Sequence, residues 1–171
     1  MKNNPLKSLC YLYVFITIIF NTYAVADTPT NGKVTSAPWG GATVTPTEYK
    51  PQKVVYDVHV KTVEAVESVL DRASYLSTIT GADPFDQSII LVLHGTELNF
   101  FAIKNYDEHK ALMHRAKSLV DSEAITIKMC KIAAEAQGFS PADIHGFIEM
   151  VPMGDAEIIR LQYEENHAYM Q

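Results

Sequence analysis

Residues 124–136, AITIKMCKIAAEA, carry the strongest information about the fold. The first half of this stretch, residues 124–130, is rich in β-branched and apolar side chains, which is typical of a buried strand. Its second half is rich in alanine, which favours a helix. Cys130 lies at the junction. The stretch therefore predicts a strand that passes directly into a helix, with Cys130 at the carboxyl end of the strand.

The first 26 residues have the features of a secretory signal peptide. Two lysines precede an apolar run at residues 9–20, and residues 24–26 (AVA) supply a small-x-small cleavage pattern. The apolar run is shorter than the roughly 20 residues that a membrane span needs. We therefore expect residues 1–26 to be removed from a periplasmic or secreted protein, with an uncleaved anchor as the alternative.

The exported chain is acidic and carries one thiol. The formal net charge is −6, and loss of the two lysines in residues 1–26 makes it −8. This charge excludes the electrostatic pattern of a nucleic-acid or anionic-membrane binder. Cys10 leaves with the signal peptide, so Cys130 has no intramolecular disulfide partner. In an oxidising compartment such a cysteine is buried and inert, paired between chains, or kept for its reactivity.

Residues 27–50 are rich in Thr, Pro and Gly and show no helical or alternating period, which predicts a flexible arm. Residues 51–171 show strands that alternate with helices, without hairpin signals. This pattern predicts one parallel α/β domain with at least four strands. The expected strands are residues 53–60, 88–93, 124–130 and 147–151. The expected helices follow a Thr62 cap, an Asn105–Glu108 capping box, Cys130 and Gly154. A short helical turn is expected at residues 140–143.

Parallel α/β sheets place their functional sites beyond the carboxyl ends of the strands. In this chain those ends carry His59, His94-Gly95, Cys130 and the turn at residues 152–154. The sequence therefore brings a thiol, two imidazoles and the Met153 thioether to one edge of the sheet. Which of them are neighbours depends on the strand order.

Cys130 is the candidate nucleophile. A helix amino terminus favours the thiolate, and Lys128 and Lys131 are expected to add positive potential. His94 is the candidate proton-transfer or orienting group, because Gly95 allows a close backbone approach beside it. The alternatives are a small buried apolar cysteine and a histidine that is merely hydrogen-bonded at a strand end. His59 has the same ambiguity.

Soft-metal binding is a third hypothesis. Copper(I) prefers thiol, thioether and imidazole ligands, which Cys130, Met129, Met150, Met153 and His94 could supply. No Cys-x-x-Cys or His-x-x-x-His spacing occurs in the sequence, and Met129 and Met150 fit a core equally well. No phosphate-binding glycine loop or Gly-x-Ser-x-Gly motif occurs. His109, His114 and His167 are expected to be solvated on helices, and His145 is expected to be an ordinary loop residue.

Three segments together resemble the DsrE/DsrF-like sulfur-relay proteins. They are the strand that ends in Leu93-His94-Gly95, the strand that ends in Met129-Cys130 before a helix, and residues 151–162 (VPMGDAEIIRLQ). The resemblance covers about residues 52–171 and omits the arm. It identifies the chain as similar to an exported, single-domain member of that family.

The resemblance implies a three-layer α/β/α sandwich with a mainly parallel sheet of four to five strands, assembled into trimers or hexamers. It implies a persulfide carrier or sulfurtransferase that needs no cofactor, with sulfane sulfur held on Cys130 and His94 beside it. A donor of sulfane sulfur and an acceptor thiol protein would be the partners. The alternative is a binding or assembly module that keeps the fold and an inert Cys130.

Overall fold

The computed structural model describes residues 37–171. The predicted signal peptide and the first ten residues of the predicted arm lie outside this range. Residues 37–50 contain no helix or strand and are exposed, and residues 37–44 belong to a unit separate from residues 45–171. No helix within the described range is long and apolar enough to cross a membrane.

Five strands and four α-helices make up residues 45–171. The strands are β1 (Lys53–Val58), β2 (Ser88–Leu93), β3 (Thr126–Cys130), β4 (Glu149–Val151) and β5 (Ala168–Met170). The α-helices are α1 (Val63–Ile79), α2 (Lys110–Asp121), α3 (Lys131–Ala136) and α4 (Gly154–Glu165), and short 3₁₀ turns occupy Thr96–Phe101, Ile103–Asn105 and Pro141–Asp143.

All five strands are parallel and form one sheet in the order β4-β3-β2-β1-β5. The predicted parallel α/β sheet of four to five strands is confirmed. The register sets Val58 opposite Leu93 and Leu93 opposite Met129, so the carboxyl ends of the three inner strands are level. Groups that follow these strands therefore meet at one edge of the sheet.

The two faces of the sheet carry separate cores, which makes the fold a three-layer α/β/α sandwich. One face packs against α1 and α2 in the larger core, whose strand residues include Tyr56, Leu91 and Met129. The other face packs against α4. Alternation of side chains along each strand produces this division. The smaller core consists of Val55, Ile90, Val92, Ile158 and Leu161.

The helix starts were predicted with mixed success. Thr62 caps α1 as expected, since its hydroxyl accepts a hydrogen bond from the Ala65 N–H at 3.2 Å. The expected capping box at Asn105 and Glu108 was wrong, because α2 begins at Lys110 after His109. Two 3₁₀ turns precede α2. The side-chain amide of Asn105 donates to the Asn99 backbone carbonyl instead of capping a helix.

The strand ends differ from prediction where backbone groups bond outside the sheet. β1 stops at Val58 because the Val60 N–H donates to the Glu97 carboxylate. β3 starts two residues late because the Ala124 N–H bonds back to the Leu119 carbonyl at the end of α2. The sheet proper is therefore shorter than the apolar runs suggest.

β5 was not anticipated. The final helix, α4, ends at Asn166 in the left-handed conformation with φ 59°, and the chain then turns back to pair with β1. Asparagine is one of the few residues that adopt this conformation readily, so Asn166 was a usable stop signal. The extra strand brings Tyr169 to the outer edge of β1.

Candidate functional site

The carboxyl-terminal rim, which we define as Asp57, His94 and Cys130, lies on the α4 face of the sheet. Val55 and Val92 belong to the smaller core, so Asp57 and His94 share its face by strand alternation. Met129 faces the larger core, so Cys130 points away from it, toward α4. The strand order places the three rim residues on the adjacent strands β1, β2 and β3 or directly after them.

His94 and Cys130 are neighbours across the sheet. Leu93 lies opposite Met129, and the next residue pair in the same register is His94 and Cys130. Adjacent strands are about 4.8 Å apart. The sequence placed both groups at this edge, and the strand order makes them adjacent.

Both side chains line one shallow cavity of about 230 Å³, which we call the Cys130 cavity. Its wall is mostly apolar, and Cys130 itself is only 6% exposed. Ile132 and Met153 are exposed at its mouth. The lining residues are His94, Cys130, Ile132, Ala133, Ala136, Met153 and Asp155.

The first residue of α4, Gly154, packs directly against the cavity. A Cβ built on Gly154 would lie 3.1 Å from the His94 Cβ and 3.2 Å from the Cys130 Cβ. Both distances are shorter than ordinary van der Waals contact, so a side chain here would press on His94 and Cys130. The amino terminus of α4, where the backbone N–H groups and the helix dipole concentrate positive potential, therefore abuts His94 and Cys130.

The Cys130 thiol caps α3. Its Sγ accepts a hydrogen bond from the Ala133 N–H at 3.4 Å, in the position that a Ser or Asp side chain takes at other helix starts. An N–H that points at sulfur stabilises the thiolate more than the neutral thiol. The expected strand–helix junction at Cys130 is confirmed.

The expected role of the flanking lysines was wrong. Lys128 points its ammonium at the Glu157 carboxylate, 2.6 Å away, and Lys131 pairs with Glu135 at 3.5 Å. A lysine whose charge is already neutralised by a carboxylate adds little potential elsewhere. Sequence spacing could not show these partners, because Glu157 comes from α4. The helix starts are therefore the groups left to supply positive potential near Cys130.

Lys128 instead belongs to an ion-pair network on the α4 face. Glu157 receives Arg160 at 2.7 Å as well as Lys128. The Arg160 hydrogen bonds, followed by those of Lys128, outweigh burial and lower the pKa of Glu157 to about 2. This network fixes α4 on β3, and so holds Gly154 against the cavity.

His94 is held by Asp57. The His94 Nε2 lies 2.5 Å from Asp57 Oδ1, and Asp57 Oδ2 accepts the Tyr169 hydroxyl at 2.5 Å. Gln171 in turn donates to the Tyr169 oxygen at 3.0 Å. Sequence reasoning missed Asp57 and Tyr169, because a charged residue inside a strand and a tyrosine after the last helix carry no signal until the strand order is known.

A buried carboxylate fixes the backbone at His94. Glu97 is fully buried, and its oxygens accept the backbone N–H groups of His94 at 2.9 Å, Gly95 at 2.7 Å and Val60 at 3.2 Å. These bonds tie the ends of β1 and β2 together. A Cβ on Gly95 would lie 2.5 Å from Glu97 Oε2 and 2.7 Å from His59 Nδ1, so the site requires glycine here.

His59 lies on the far side of His94 from the Cys130 cavity. It is exposed, and its ring centroid is 5.6 Å from that of His94. Together with His94, Asp57 and Arg72 it lines an open cleft of about 650 Å³. The structure thus brings His59 to the rim as expected but does not place it in the Cys130 cavity.

The soft-metal ligand set is split: Cys130, His94 and Met153 line the Cys130 cavity, whereas Met129 and Met150 lie elsewhere. Met129 is fully buried in the larger core, and Met150 packs against the same core, whereas Cys130 faces α4. Residues 37–171 contain no group of three or more His, Cys, Asp or Glu side chains arranged to hold a metal ion.

The three histidines that were expected to be solvated on helices have different surroundings. His114 is exposed on α2, whereas His109 is half-buried directly before α2, beside the Phe100 ring. His145 stacks on Phe147, and burial lowers the pKa of His145. His167 lies beyond α4 and is buried, so the expectation was wrong there.

Comparisons with known proteins inform the fold. No protein-family model and no curated protein matches the chain. A solved structure titled as a protein of unknown function from Methanobacterium thermoautotrophicum is similar, with 19% identity and a TM-score of 0.56. The match covers 70% of this chain and 97% of that one. This likeness shows the fold alone.

Proposed function

We propose that the protein is an exported sulfur carrier with sulfurtransferase-like chemistry, which holds sulfane sulfur as a persulfide on Cys130. The observation that carries this proposal is that Cys130 and His94 line the same cavity, against the amino terminus of α4. A thiol, a base and a source of positive potential are the three groups that a persulfide-forming cysteine needs.

In the first step, the free ring nitrogen of His94 takes the proton of the Cys130 thiol. The resulting thiolate is stabilised by the Ala133 N–H and by the positive end of α4. The imidazolium formed on His94 lies against the Asp57 carboxylate. The charge created by proton transfer is therefore balanced on both sides.

In the second step, the Cys130 thiolate attacks the outer sulfur of a donor of the form R–S–SH. The new bond joins Cys130 Sγ to that sulfur, the donor S–S bond breaks, and the donor leaves as the thiolate R–S⁻. Transfer reverses this chemistry: an acceptor thiolate attacks the outer sulfur of the Cys130 persulfide and releases the Cys130 thiolate. No external oxidant or reductant is needed.

The cavity suits an outer sulfur atom better than a highly charged donor. Its wall is largely apolar, and the one acid along it, Asp155, opposes a second negative charge. Sulfane sulfur is soft and weakly hydrated, so apolar contact costs it little. The family resemblance implies that a donor of sulfane sulfur and an acceptor thiol protein are the partners, and that the chain forms trimers or hexamers.

The test is a measurement of intact mass. The protein comprising residues 27–171 is incubated with polysulfide, and its mass is recorded before and after treatment with a thiol reductant. The proposal predicts the gain of one sulfur, its removal by the reductant, and no gain in Cys130→Ala. A wild-type protein that gains no sulfur under conditions in which a small thiol does so would contradict the proposal.

The second candidate is a binding or assembly module with an inert cysteine. One observation favours it: Cys130 is only 6% exposed, and its sulfur already accepts a hydrogen bond. Most free cysteines with this degree of burial behave as small apolar residues. In that case Cys130→Ala and the wild type would both gain no sulfur from polysulfide, and Cys130→Ala would keep the native assembly.

A further inference from the structure

A chain of hydrogen bonds runs from the C-terminal strand to His94. Gln171 donates to the Tyr169 hydroxyl oxygen, Tyr169 donates to Asp57 Oδ2, and Asp57 Oδ1 receives His94 Nε2. The Tyr169 contact is 2.5 Å long, which is typical of a hydroxyl bonded to an ionised carboxylate, and the His94 contact is equally short. Tyr169 lies on β5, a short strand that pairs with β1 over three residue pairs.

Asp57 is the centre of this chain. Burial on its own would raise the pKa of Asp57, but the hydrogen bonds from His94 and Tyr169 outweigh it, and the pKa lies below its ordinary value. Asp57 is therefore ionised throughout the neutral range. An ionised carboxylate can only accept, so the Nε2 of His94 must carry the proton in their shared bond.

This assignment leaves the other ring nitrogen of His94 with a lone pair. Within residues 37–171, the His94 Nδ1 has no protein hydrogen-bond partner, and the side chain is 20% exposed. The His94 backbone N–H donates to the Glu97 carboxylate, which fixes the backbone of this residue. The residue is thus held at its backbone and at one ring nitrogen, with the other ring nitrogen left without a protein partner.

We propose that Asp57 and Tyr169 are positioning residues, which hold the His94 ring so that its free nitrogen serves as the base for Cys130. This inference rests on the proposed function. When the Cys130 proton moves to Nδ1, both ring nitrogens carry protons, and the Nε2–H remains bonded to Asp57. Tyr169 keeps the carboxylate in the orientation that this bond requires.

Several charged or titratable groups face His94 from the surrounding elements, and each bears on the pH dependence. Asp57 and Tyr169 are in the hydrogen-bond chain, and Cys130 and Asp155 line the cavity. The remaining groups are the buried Glu97, which binds the His94 backbone N–H, His59, which follows β1, and Arg72 of α1, which lines the cleft on the other side. Of these, only Asp57 makes a hydrogen bond with the His94 ring.

The first test is a proton NMR measurement that does not depend on sulfur chemistry. A short bond from a ring N–H to a carboxylate gives a resonance at unusually low field. We expect one such signal in the wild type, absent from His94→Gln, absent from Asp57→Asn, and shifted upfield in Tyr169→Phe. The matched controls Tyr163→Phe and Asp86→Asn alter exposed side chains and should leave it unchanged.

Two NMR outcomes would overturn the proposal. One is the absence of the low-field signal from the folded wild type. The other is an unchanged signal in a folded Tyr169→Phe or Asp57→Asn protein. If Asp57→Asn does not fold, the nearly isosteric Tyr169→Phe variant decides alone.

The second test is the rate of Cys130 alkylation by iodoacetamide as a function of pH. Loss of positioning removes a base, and a positioned base typically contributes about 10²–10⁴-fold to a rate. We expect Asp57→Asn to react at least about tenfold more slowly near neutral pH. The difference should close at alkaline pH, where the thiol ionises without help. Tyr169→Phe should show a smaller change in the same direction.

A purely structural role predicts a different profile. A loosened fold would change the alkylation rate by the same factor at every pH, and that result would overturn the proposal. Both tests read His94 or Cys130 directly. If the wild type passes them but gains no sulfur from polysulfide, the proposed function fails and the positioning roles stand.

Discussion

Strand β2 has an imidazole at each end, and the two rings are held in different ways. At the amino-terminal edge, His167 Nδ1 bonds to the Leu161 carbonyl at 3.1 Å and Nε2 to the Ser88 hydroxyl at 2.9 Å. Its side chain is fully buried. At the carboxyl-terminal edge, His94 lines a cavity and bonds to Asp57 through one ring nitrogen, while the other ring nitrogen has no protein partner within residues 37–171.

This difference separates a structural histidine from a chemical one. Both ring nitrogens of His167 are occupied by hydrogen bonds, and burial lowers the pKa of His167 below its ordinary value although the Leu161 bond opposes this. A ring with one free nitrogen can take a proton while its other bond is kept. The two roles are therefore distinguished by whether both ring nitrogens are hydrogen-bonded, rather than by burial or by position on the strand.

Substitution of one histidine should slow sulfur uptake, and substitution of the other should lower stability. These are the largest changes that we expect. His94→Gln should slow sulfur uptake by Cys130 about 10²-fold, because the base is lost. His167→Gln should lower the free energy of unfolding by about 2 kcal/mol, because buried hydrogen bonds are lost. Uptake rates from intact mass and urea unfolding of both variants check the prediction. A His167→Gln protein that is stable but slow would remove the distinction between the two rings.

Substitution of Gly154 tests how closely α4 packs against His94 and Cys130. Gly154→Ala puts a methyl group against the Cβ atoms of His94 and Cys130, and overpacking of this kind costs about 1–3 kcal/mol. We expect lower stability and slower sulfur uptake. Gly146→Ala is the control, because its Cβ would meet nothing within 4 Å. Equal stability and equal uptake of the two variants, measured side by side, would show that α4 does not approach the cavity this closely.

The pH dependence of stability tests whether the buried His167 resists protonation. Burial lowers the pKa of both His167 and His145 from the ordinary value of 6.5. The unfolded chain therefore binds protons that the folded chain excludes. As a result, the stability that these two rings contribute is complete above pH 6.5 and falls as the pH drops below it.

The measurement is the free energy of unfolding at about pH 7.5 and about pH 5.5, on either side of the ordinary histidine pKa. We expect a loss at the lower pH in the wild type and a smaller loss in His167→Gln. Glu157, with a pKa of about 2, contributes stability that is lost only as the pH falls from about 4.5, outside this window. An unchanged slope in His167→Gln would mean that the buried ring does not resist protonation.

Lys131 should matter least. Its charge is paired with Glu135 on an exposed helix surface, and such pairs contribute about 0.3–0.5 kcal/mol. Lys131→Gln should change stability by no more than that, and the Cys130 alkylation rate by less than about twofold. A large decrease in that rate would show that the lysine, rather than the helix starts, supplies the positive potential at Cys130.

Much of the fold was predictable from sequence because it is coded locally. Continuous apolar runs such as residues 88–93 indicate inner strands of a covered parallel sheet, and the Thr62 cap fixed the start of α1. β5 was missed, since a short strand at a sheet edge has little apolar content. Asn166 offered a local signal that the last helix stops before it.

The site was only partly predictable, because its contacts join residues that are far apart in the chain. The rule that sites lie beyond strand ends found His94 and Cys130. It could not find Asp57 or Tyr169, which reach His94 only through the order of β2, β1 and β5. The same lack of strand order and helix position made Lys128 look like a partner of Cys130, when Glu157 binds it.

The proposed chemistry requires that Cys130 is a reactive thiol served by His94, rather than an inert core residue. Iodoacetamide treatment of the native protein at neutral pH, followed by intact mass, distinguishes these two states of the cysteine. We expect Cys130 to be alkylated in the folded wild type, and more slowly in a folded His94→Gln variant. Alkylation of Cys130 only after denaturation would show that the cysteine is inert.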